Sequence, residues 1–238
     1  MYSSEERFGR TINIIGIEAF SRLQNSCVAV FGLGGVGGYA AEALARSGVG
    51  RLLLVDYDTV SVSNINRQII ATEQTVGQKK TEAFAKRAKA INPDIEIIEI
   101  SEFVSGENVA DILKSNKLDY IIDAIDTVSS KVALISCAHL LNIPIISCMG
   151  TGNKLDPTLF KITDISKTDT CPLARVMRKK LHEVGISHVD VLYSPEKPVS
   201  IESSSENGRH VPASVAFVPS VAGLIIGGYA VKKIIGAL

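Results

Sequence analysis

The sequence predicts an α/β protein with a Rossmann-like, mostly parallel sheet, helices on both faces, and a smaller carboxyl-terminal region that faces the substrate. Apolar, strand-like runs near residues 27, 51, 95, 119 and 143 alternate with helical patterns near 36, 80, 107 and 129. The first of these runs breaks into glycines where a helix begins. With 238 residues, 46% of them hydrophobic, the chain is long enough to bury a full core.

The amino-terminal part of the chain predicts a helix over about Glu5–Leu23, followed by the glycine-rich run Val28–Gly38. Glycine allows a turn with positive φ and lets a phosphate approach the backbone, and the first N–H groups of a helix attract an anion. The helix that opens near Val36 is predicted to run to Ser47 and to end at Gly48. The run therefore predicts a nucleotide-phosphate site that contains Gly32, Gly34 and Gly37.

The second predicted strand, Arg51–Asp56, ends in a carboxylate about twenty residues after the glycines, where a Rossmann unit binds a ribose hydroxyl. This pattern alone fits an NAD-dependent dehydrogenase, which is the first hypothesis. The polar segment that follows, with Arg67, and the cation Lys80 at the start of a helix over Lys80–Ala90 indicate additional phosphates instead.

A third apolar strand, Tyr120–Asp126, ends in a carboxylate at the edge where open α/β sheets bind ligands. Asp126 is predicted to bind Mg²⁺, which prefers one or two carboxylates together with substrate phosphates. Asp123 lies within the strand, and a structural role as an acceptor for backbone N–H groups is favoured over catalysis.

From about residue 7 to 150 the chain resembles the ubiquitin-activating-enzyme-like (ThiF-like) adenylyltransferases, which include the activators of sulfur-carrier proteins. The resemblance is carried by five motifs in order: Gly32–Gly37, Asp56–Asp58, Ser63–Gln68, Val76–Lys80 and Asp123–Asp126. It implies ATP as the nucleotide. The residues it implies are Gly35 against the nucleotide, Asp56 on the ribose, Asn64, Arg67 and Lys80 on the phosphates, Asp126 on Mg²⁺, and Asp58 and Ser63 among the nucleotide-binding residues.

The segment Arg7–Arg10 is similar to the one from which relatives send an arginine into the ATP site of a neighbouring subunit. The resemblance therefore implies a homodimer in which Arg10 takes part in catalysis with Arg67, Lys80 and Asp126. An exposed basic residue on an amphipathic helix is the alternative for Arg10.

Within this superfamily the chain is most similar to the tRNA threonylcarbamoyladenosine dehydratases, in Asp123–Thr127, Gly150–Gly152, Asp156–Thr158 and Ile162–Thr168. The resemblance implies ATP-dependent cyclisation of this nucleoside in tRNA through an acyl-adenylate. The alternative is an adenylyltransferase that activates the carboxyl terminus of a sulfur-carrier or ubiquitin-like protein, and a sulfur-transfer or carrier protein stays open as a partner. The four cysteines have no pair at ligand spacing, so no structural zinc is expected.

Several single residues have weaker interpretations. Cys171 precedes Pro172 at a predicted helix start, where a thiolate is stabilised, but a plain loop thiol is favoured over a covalent role. His139 is interpreted as structural, and His210 is a general-base candidate without further support. Because the net charge is zero, RNA affinity requires a local patch. The candidates for it are Arg175, Arg178, Lys179, Lys180 and His182 on a helix over Pro172–Val184, with Lys232 and Lys233.

The chain is expected to comprise an ATP-binding region over 1–150 and a substrate-facing and dimerisation region over 151–238. Its amino terminus is polar and acidic and has no signal peptide, which predicts a cytoplasmic location. The apolar stretch 211–230 contains prolines and serines. It is therefore interpreted as leading into a buried helix over Ser220–Ile235, with no integral membrane association.

Overall fold

The computed structural model describes residues 2–200, 205–206, 209–210 and 212–238. Two sheets and eight α-helices are found within these ranges. The strands are β1 Cys27–Phe31, β2 Arg51–Val55, β3 Glu96–Ile100, β4 Tyr120–Asp123, β5 Ile145–Cys148, β6 Lys161–Asp164, β7 Asp190–Tyr193, β8 Ser205–Glu206 and β9 Arg209–His210. The helices are α1 Ser4–Ile15, α2 Ile17–Gln24, α3 Gly37–Ser47, α4 Lys80–Ile91, α5 Val109–Lys114, α6 Val128–Leu140, α7 Pro172–Glu183 and α8 Phe217–Ile235.

The main sheet has seven strands in the order β3-β2-β1-β4-β5-β7-β6. Every neighbouring pair is parallel except β6 with β7, which is antiparallel. The predicted fold class is therefore confirmed. Strands β6 and β7 complete the same sheet as the nucleotide-binding strands. Because the chain order runs outward from β1 on one side and from β4 on the other, the switch point of the sheet lies between β1 and β4, where open α/β sheets bind ligands.

Helices cover both faces of the sheet. On one face α3, α4 and α8 pack on the side chains of Val28, Val30, Leu52 and Leu54. On the other face α5 and α6 pack on Ala29, Phe31 and Leu53, while α7 packs against Met149 and Val191 farther along the sheet. Successive strand residues point to opposite faces, so strands buried on both faces are apolar throughout, as β1 is.

The structure changes two of the predicted helices. The amino-terminal helix divides into α1 and α2 at Gly16, which adopts φ 83° and leaves the helical path. The carboxyl-terminal helix begins at Phe217, three residues earlier than predicted, because Pro219 is accommodated within its first turn, where a proline N–H is not required.

Helix α8 packs closely on α3 through two glycines. A Cβ on Gly223 would lie 2.2 Å from the carbonyl oxygen of Val36, and one on Gly227 would lie 2.9 Å from the Cβ of Ala43, whereas Gly228 faces open space. Among the described helices α8 is long and apolar enough to cross a membrane by length and composition, and its most apolar window is 39% buried in the fold. Its glycine face therefore forms part of the core.

Candidate active site

A cavity of about 600 Å³ opens at the carboxyl ends of the parallel strands. We call the part lined by the glycine turn and by the loops after β2, β3 and β4 the nucleotide half. The rest, the far half, is lined by residues that follow β5, by the start of α7 and by the segments before α8. The far-half residues are Cys148, Met149, Gly150, Thr151, Gly152, Asn153, Lys154, Cys171, Pro172, Leu173, Pro198, Pro212 and Ser214.

The glycine turn between β1 and α3 needs its glycines for conformation and for space. Gly32 has φ 85°, and a Cβ there would lie 2.7 Å from the carbonyl oxygen of Ala124. A Cβ on Gly37 would lie 1.7 Å from the carbonyl oxygen of Gly32. No side chain caps the amino terminus of α3, so its first N–H groups are not occupied by a cap. Gly32, Gly34 and Gly35 line the cavity, whereas Gly37 supports the turn from below.

Asp56 joins the end of β2 to the glycine turn. One carboxylate oxygen accepts the N–H of Leu33 at 2.6 Å, and the other accepts the N–H of Asp58 at 2.8 Å. The residue is 8% exposed and lines the cavity. Burial raises the pKa of Asp56 above its usual value, while Lys80 and the two N–H groups act in the opposite direction. The carboxylate therefore fixes the turn at the wall of the nucleotide half.

Two cations line the nucleotide half. The ammonium of Lys80, on a residue that is 5% exposed, lies 2.7 Å from an oxygen of Asp58 and 4.0 Å from one of Asp56. The guanidinium of Arg67 donates to the carbonyl oxygen of Ser63 at 2.8 Å and to the side chain of Asn66 at 2.9 Å. Both cations are thus held at the cavity wall, where they can bind the phosphates of a nucleotide.

Two polar residues of the same segment shape this wall. Asn64 is buried, and its side-chain oxygen accepts the N–H of Ser61, which holds the short 3-10 helix Val62–Asn64 in place. Gln68 is 7% exposed, lines the cavity, and has a side-chain oxygen without a hydrogen-bond partner among the described residues. The sequence contained Gln68 in a matched motif, but no pattern assigned it a role.

Asp126 lies on the loop after β4 and is exposed at the cavity. Its carboxylate accepts one hydrogen bond, from the Thr127 hydroxyl at 3.3 Å, which leaves lone pairs free for a cation. Such a site suits Mg²⁺, because this ion is commonly bound by one protein carboxylate together with phosphate oxygens of the substrate.

A buried ion pair positions this loop. Asp123 and Lys131 have side chains that are 0% exposed, and the ammonium lies 2.9 Å from the carboxylate. The carboxylate also accepts the hydroxyl of Ser147 at 2.6 Å and the N–H of Ile125 at 3.1 Å. Lys131 donates to the carbonyl oxygens of Ile125 and Cys148, at 3.1 and 2.9 Å. This agrees with the structural interpretation of Asp123 and adds Lys131, which sequence reasoning missed.

Three of the predicted site residues lie outside the cavity lining. Ser63 contributes a carbonyl oxygen to Arg67, Gly37 packs under the turn, and Arg10 is exposed on α1. The two histidines considered above are not seen in the cavity lining either. His139 is exposed on α6 and lines a separate cavity at the opposite edge of the sheet, and the side chain of His210 lies outside the described residues.

The remaining predictions concern cysteines and basic residues. Cys171 is the N-cap residue of α7 and is buried at the wall of the far half. All four cysteines are free, and no group of three or more potential metal ligands occurs among the described residues. Arg178, predicted as part of an RNA patch, is half-buried and donates to the carbonyl oxygen of Thr168 at 2.6 Å. Lys233 lies 3.8 Å from Asp190, also at the opposite edge of the sheet.

Comparison with known proteins supports the adenylation site. The tRNA threonylcarbamoyladenosine dehydratase of Bacillus subtilis is 46% identical, with 96% of this chain and 94% of that protein covered. The Escherichia coli protein of the same name is 35% identical over 96% of this chain and 93% of its own length. Its crystal structure in complex with AMP matches with a TM-score of 0.91, covering 100% of this chain and 98% of that one.

The alternative class matches less of the chain. The adenylyltransferase and sulfurtransferase MOCS3-1 of Zea mays is 36% identical over 58% of this chain and 29% of its own length. The E. coli dehydratase has also been solved in complex with ATP, which disfavours the hypothesis of an NAD-dependent dehydrogenase. The ThiF family model matches residues 8–237. Because this match extends over nearly the whole chain, the chain belongs to the ThiF family.

Proposed function

We propose that this chain is an ATP-dependent enzyme that dehydrates N6-threonylcarbamoyladenosine in tRNA through an acyl-adenylate. The observation that carries the proposal is the continuity of the cavity. A glycine turn, two cations and Asp126 line one end of the cavity, and the same cavity continues into a far half that would take the second reactant. The full-length similarity to dehydratases favours this substrate over a protein carboxyl terminus.

The chemistry follows from the weakness of a carboxylate as an electrophile, because its leaving group would be oxide. The threonyl carboxylate attacks the α-phosphorus of ATP, the bond to the β-phosphate oxygen breaks, and pyrophosphate leaves. A nitrogen or oxygen of the carbamoyl group then attacks the acyl carbon and expels AMP, which retains one former carboxylate oxygen. The carbamoyl proton passes to solvent, so the nucleoside has lost the elements of one water.

The residues of the nucleotide half have separate roles in this proposal. Arg67 and Lys80 stabilise the negative charge that develops on the phosphates, and binding of both reactants in one cavity aligns the reacting atoms. Asp126 would hold Mg²⁺, which neutralises phosphate charge when it is bound. Asp56 would accept a ribose hydroxyl. Among the described residues no histidine lines the cavity, so the proposal assigns no imidazole base.

A homodimer completes the proposal for Arg10. Within one chain Arg10 is exposed on α1 and does not line the cavity. Catalysis by Arg10 therefore requires that α1 of one copy reaches the cavity of another, with residues 151–238 contributing to the dimer contact. Mixing an inactive Arg10→Ala variant with an inactive Asp126→Asn variant tests this arrangement, because hybrid dimers would regain one intact site.

For tRNA we propose the exposed side of α7. This helix begins at the cavity wall, directly after its N-cap residue Cys171, and exposes Arg175 and Lys179, which can bind phosphates on either side of the modified nucleoside.

The cysteines are free thiols. They fit the cytoplasmic, reducing location that we also propose.

The test is incubation of the purified chain with ATP, Mg²⁺ and tRNA that carries threonylcarbamoyladenosine. Mass spectrometry of the digested nucleosides is expected to show loss of one water, with one AMP formed per nucleoside converted. Asp126→Asn should abolish both the loss of water and the formation of AMP, while the fold of the chain without ATP is unchanged. Pyrophosphate exchange that depends on a carrier protein but not on the modified tRNA would instead support the activator class.

A further inference from the structure

The far half of the cavity contains a buried cation that forms no ion pair with a carboxylate of the described residues. Lys154 is 4% exposed and lines the cavity. Its ammonium donates to the carbonyl oxygen of Glu196 at 2.5 Å and to that of Ser194 at 3.4 Å. None of the ion pairs between described residues includes Lys154. Lysine is rarely buried without a counter-ion, because desolvation of the ammonium is costly.

The side chain of Glu196, whose backbone carbonyl accepts from Lys154, is itself occupied elsewhere. The carboxylate of Glu196 accepts the N–H groups of Leu155 and Asp156, at 2.8 and 3.2 Å. Burial lowers the pKa of Lys154, while the thiol of Cys171 and the carboxylate of Glu196 raise it by less. An ammonium can donate three hydrogen bonds, and the two carbonyl oxygens account for two of them. One N–H of Lys154 is therefore left for a ligand.

The charges along the cavity wall are segregated. All acidic residues in the described part of the lining belong to the nucleotide half: Asp56, Asp58, Glu102 and Asp126. In the described lining of the far half, Lys154 is the charged side chain. Among the described lining residues of the far half, an anionic ligand thus meets this ammonium as the one opposite charge, in surroundings where a charge interaction is stronger than in water.

We infer that Lys154 binds the free carboxylate of the threonylcarbamoyl group and so selects a substrate in which this carboxylate is unesterified and charged. The inference rests on the proposed function, which brings a carboxylate into this half of the cavity beside a triphosphate of like charge. The ammonium offsets that repulsion until the acid has been adenylated. Because the interaction is made with the ground-state carboxylate, its loss should raise KM for tRNA more than it lowers kcat.

A structural role is the competing explanation, since Lys154 also ties residues 194–196 to the loop that follows β5. Other bonds tie these segments together as well, including the N–H of Val199 to the carbonyl oxygen of Asn153 at 2.7 Å. A purely structural role predicts that any loss of affinity is the same for charged and uncharged substrates.

The experiment compares two RNA probes, an anticodon stem-loop that carries threonylcarbamoyladenosine and the same stem-loop with the threonyl carboxylate converted to its methyl ester. Affinity is measured with a non-hydrolysable ATP analogue present. The wild-type chain should bind the acid about 10- to 100-fold more tightly than the ester. Lys154→Met should bind both probes alike, and Lys154→Arg should restore the preference. Lys117→Met, at an exposed lysine before β4, is the matched control.

A preference for the acid that persists in Lys154→Met overturns the inference. If that variant does not fold, the wild-type chain decides the question by pH. Its preference for the acid should decline with rising pH, and the decline should begin at a pH below the usual lysine pKa of 10.5, because the ammonium of Lys154 loses its proton there. The same decline should be seen in Cys171→Ser. A preference that stays constant over that range contradicts the inference. Failure of the wild-type chain to dehydrate the tRNA would instead refute the proposed function.

Discussion

Replacement of Lys131 by methionine is expected to destabilise the fold by about 3 to 5 kcal/mol, because it leaves the charge of Asp123 buried without its partner. Both side chains are 0% exposed, so water cannot replace the lost interaction. The change also removes the donor to the carbonyl oxygens of Ile125 and Cys148. A loss of this size is a large fraction of the stability of an ordinary domain, which is about 5 to 15 kcal/mol.

Urea unfolding followed by far-UV circular dichroism measures this loss, since the chain has no tryptophan. With a slope of about 2 to 3 kcal/mol per M, the midpoint should fall by about 1 to 2.5 M. The double variant Asp123→Asn with Lys131→Met removes both charges and should be more stable than Lys131→Met alone. Lys117→Met, at an exposed site, should change stability by no more than about 0.5 kcal/mol. A destabilisation below about 1 kcal/mol in Lys131→Met, or simple additivity in the double variant, would refute the reasoning.

Three further predictions use other parts of the structure. Gly223→Ala should destabilise the chain by about 1 to 3 kcal/mol in the same unfolding assay, because its Cβ would lie 2.2 Å from α3 backbone, whereas Gly228→Ala, with open space, should be neutral or stabilising. ATP affinity should fall in acid as Asp56 gains a proton, and the fall should begin at a higher pH than for a free aspartate because the pKa of Asp56 is raised. Calorimetry over a range of pH gives the ratio of the wild-type affinity to that of Asp56→Asn, and this ratio isolates the contribution of Asp56. Arg175→Ala with Lys179→Ala should lower the salt dependence of tRNA affinity, by about one in the log–log slope for each lost phosphate contact.

The nucleotide half could be predicted from the sequence because its determinants are local. A strand of five apolar residues, a glycine turn and a helix follow one another in β1 and α3, and the carboxylate of Asp56 comes directly after the next strand. Parallel strands bring such loop residues to one edge of the sheet. The spacing therefore indicated the lining that Gly32, Gly34, Asp56 and Lys80 provide.

The parts that were missed depend on how the chain bends and on which side chains face each other once it has folded. The break at Gly16 interrupts an amphipathic pattern that continues on both sides, and glycine alone does not distinguish a break from a tolerated interior residue. Lys131 stands in an otherwise apolar helix, and its partner Asp123 is on a neighbouring strand. Arg178 has the spacing of a surface cation, but Thr168, ten residues earlier, occupies it.

Two of the three buried lysines near the cavity, Lys131 and Lys154, show how a structural charge can be separated from a functional one. Lys131 and Lys154 are both almost inaccessible to water. Lys131 lies 2.9 Å from a carboxylate and donates to two carbonyl oxygens, so its charge is neutralised within the fold. Lys154 donates to two carbonyl oxygens but forms no ion pair with a carboxylate in the described part of the chain, and it lines the cavity. A fold that buries an unneutralised charge is less stable than one that pairs it. The missing counter-ion is therefore best supplied by a ligand, and the carboxylate of the proposed substrate is an anion that would enter this half.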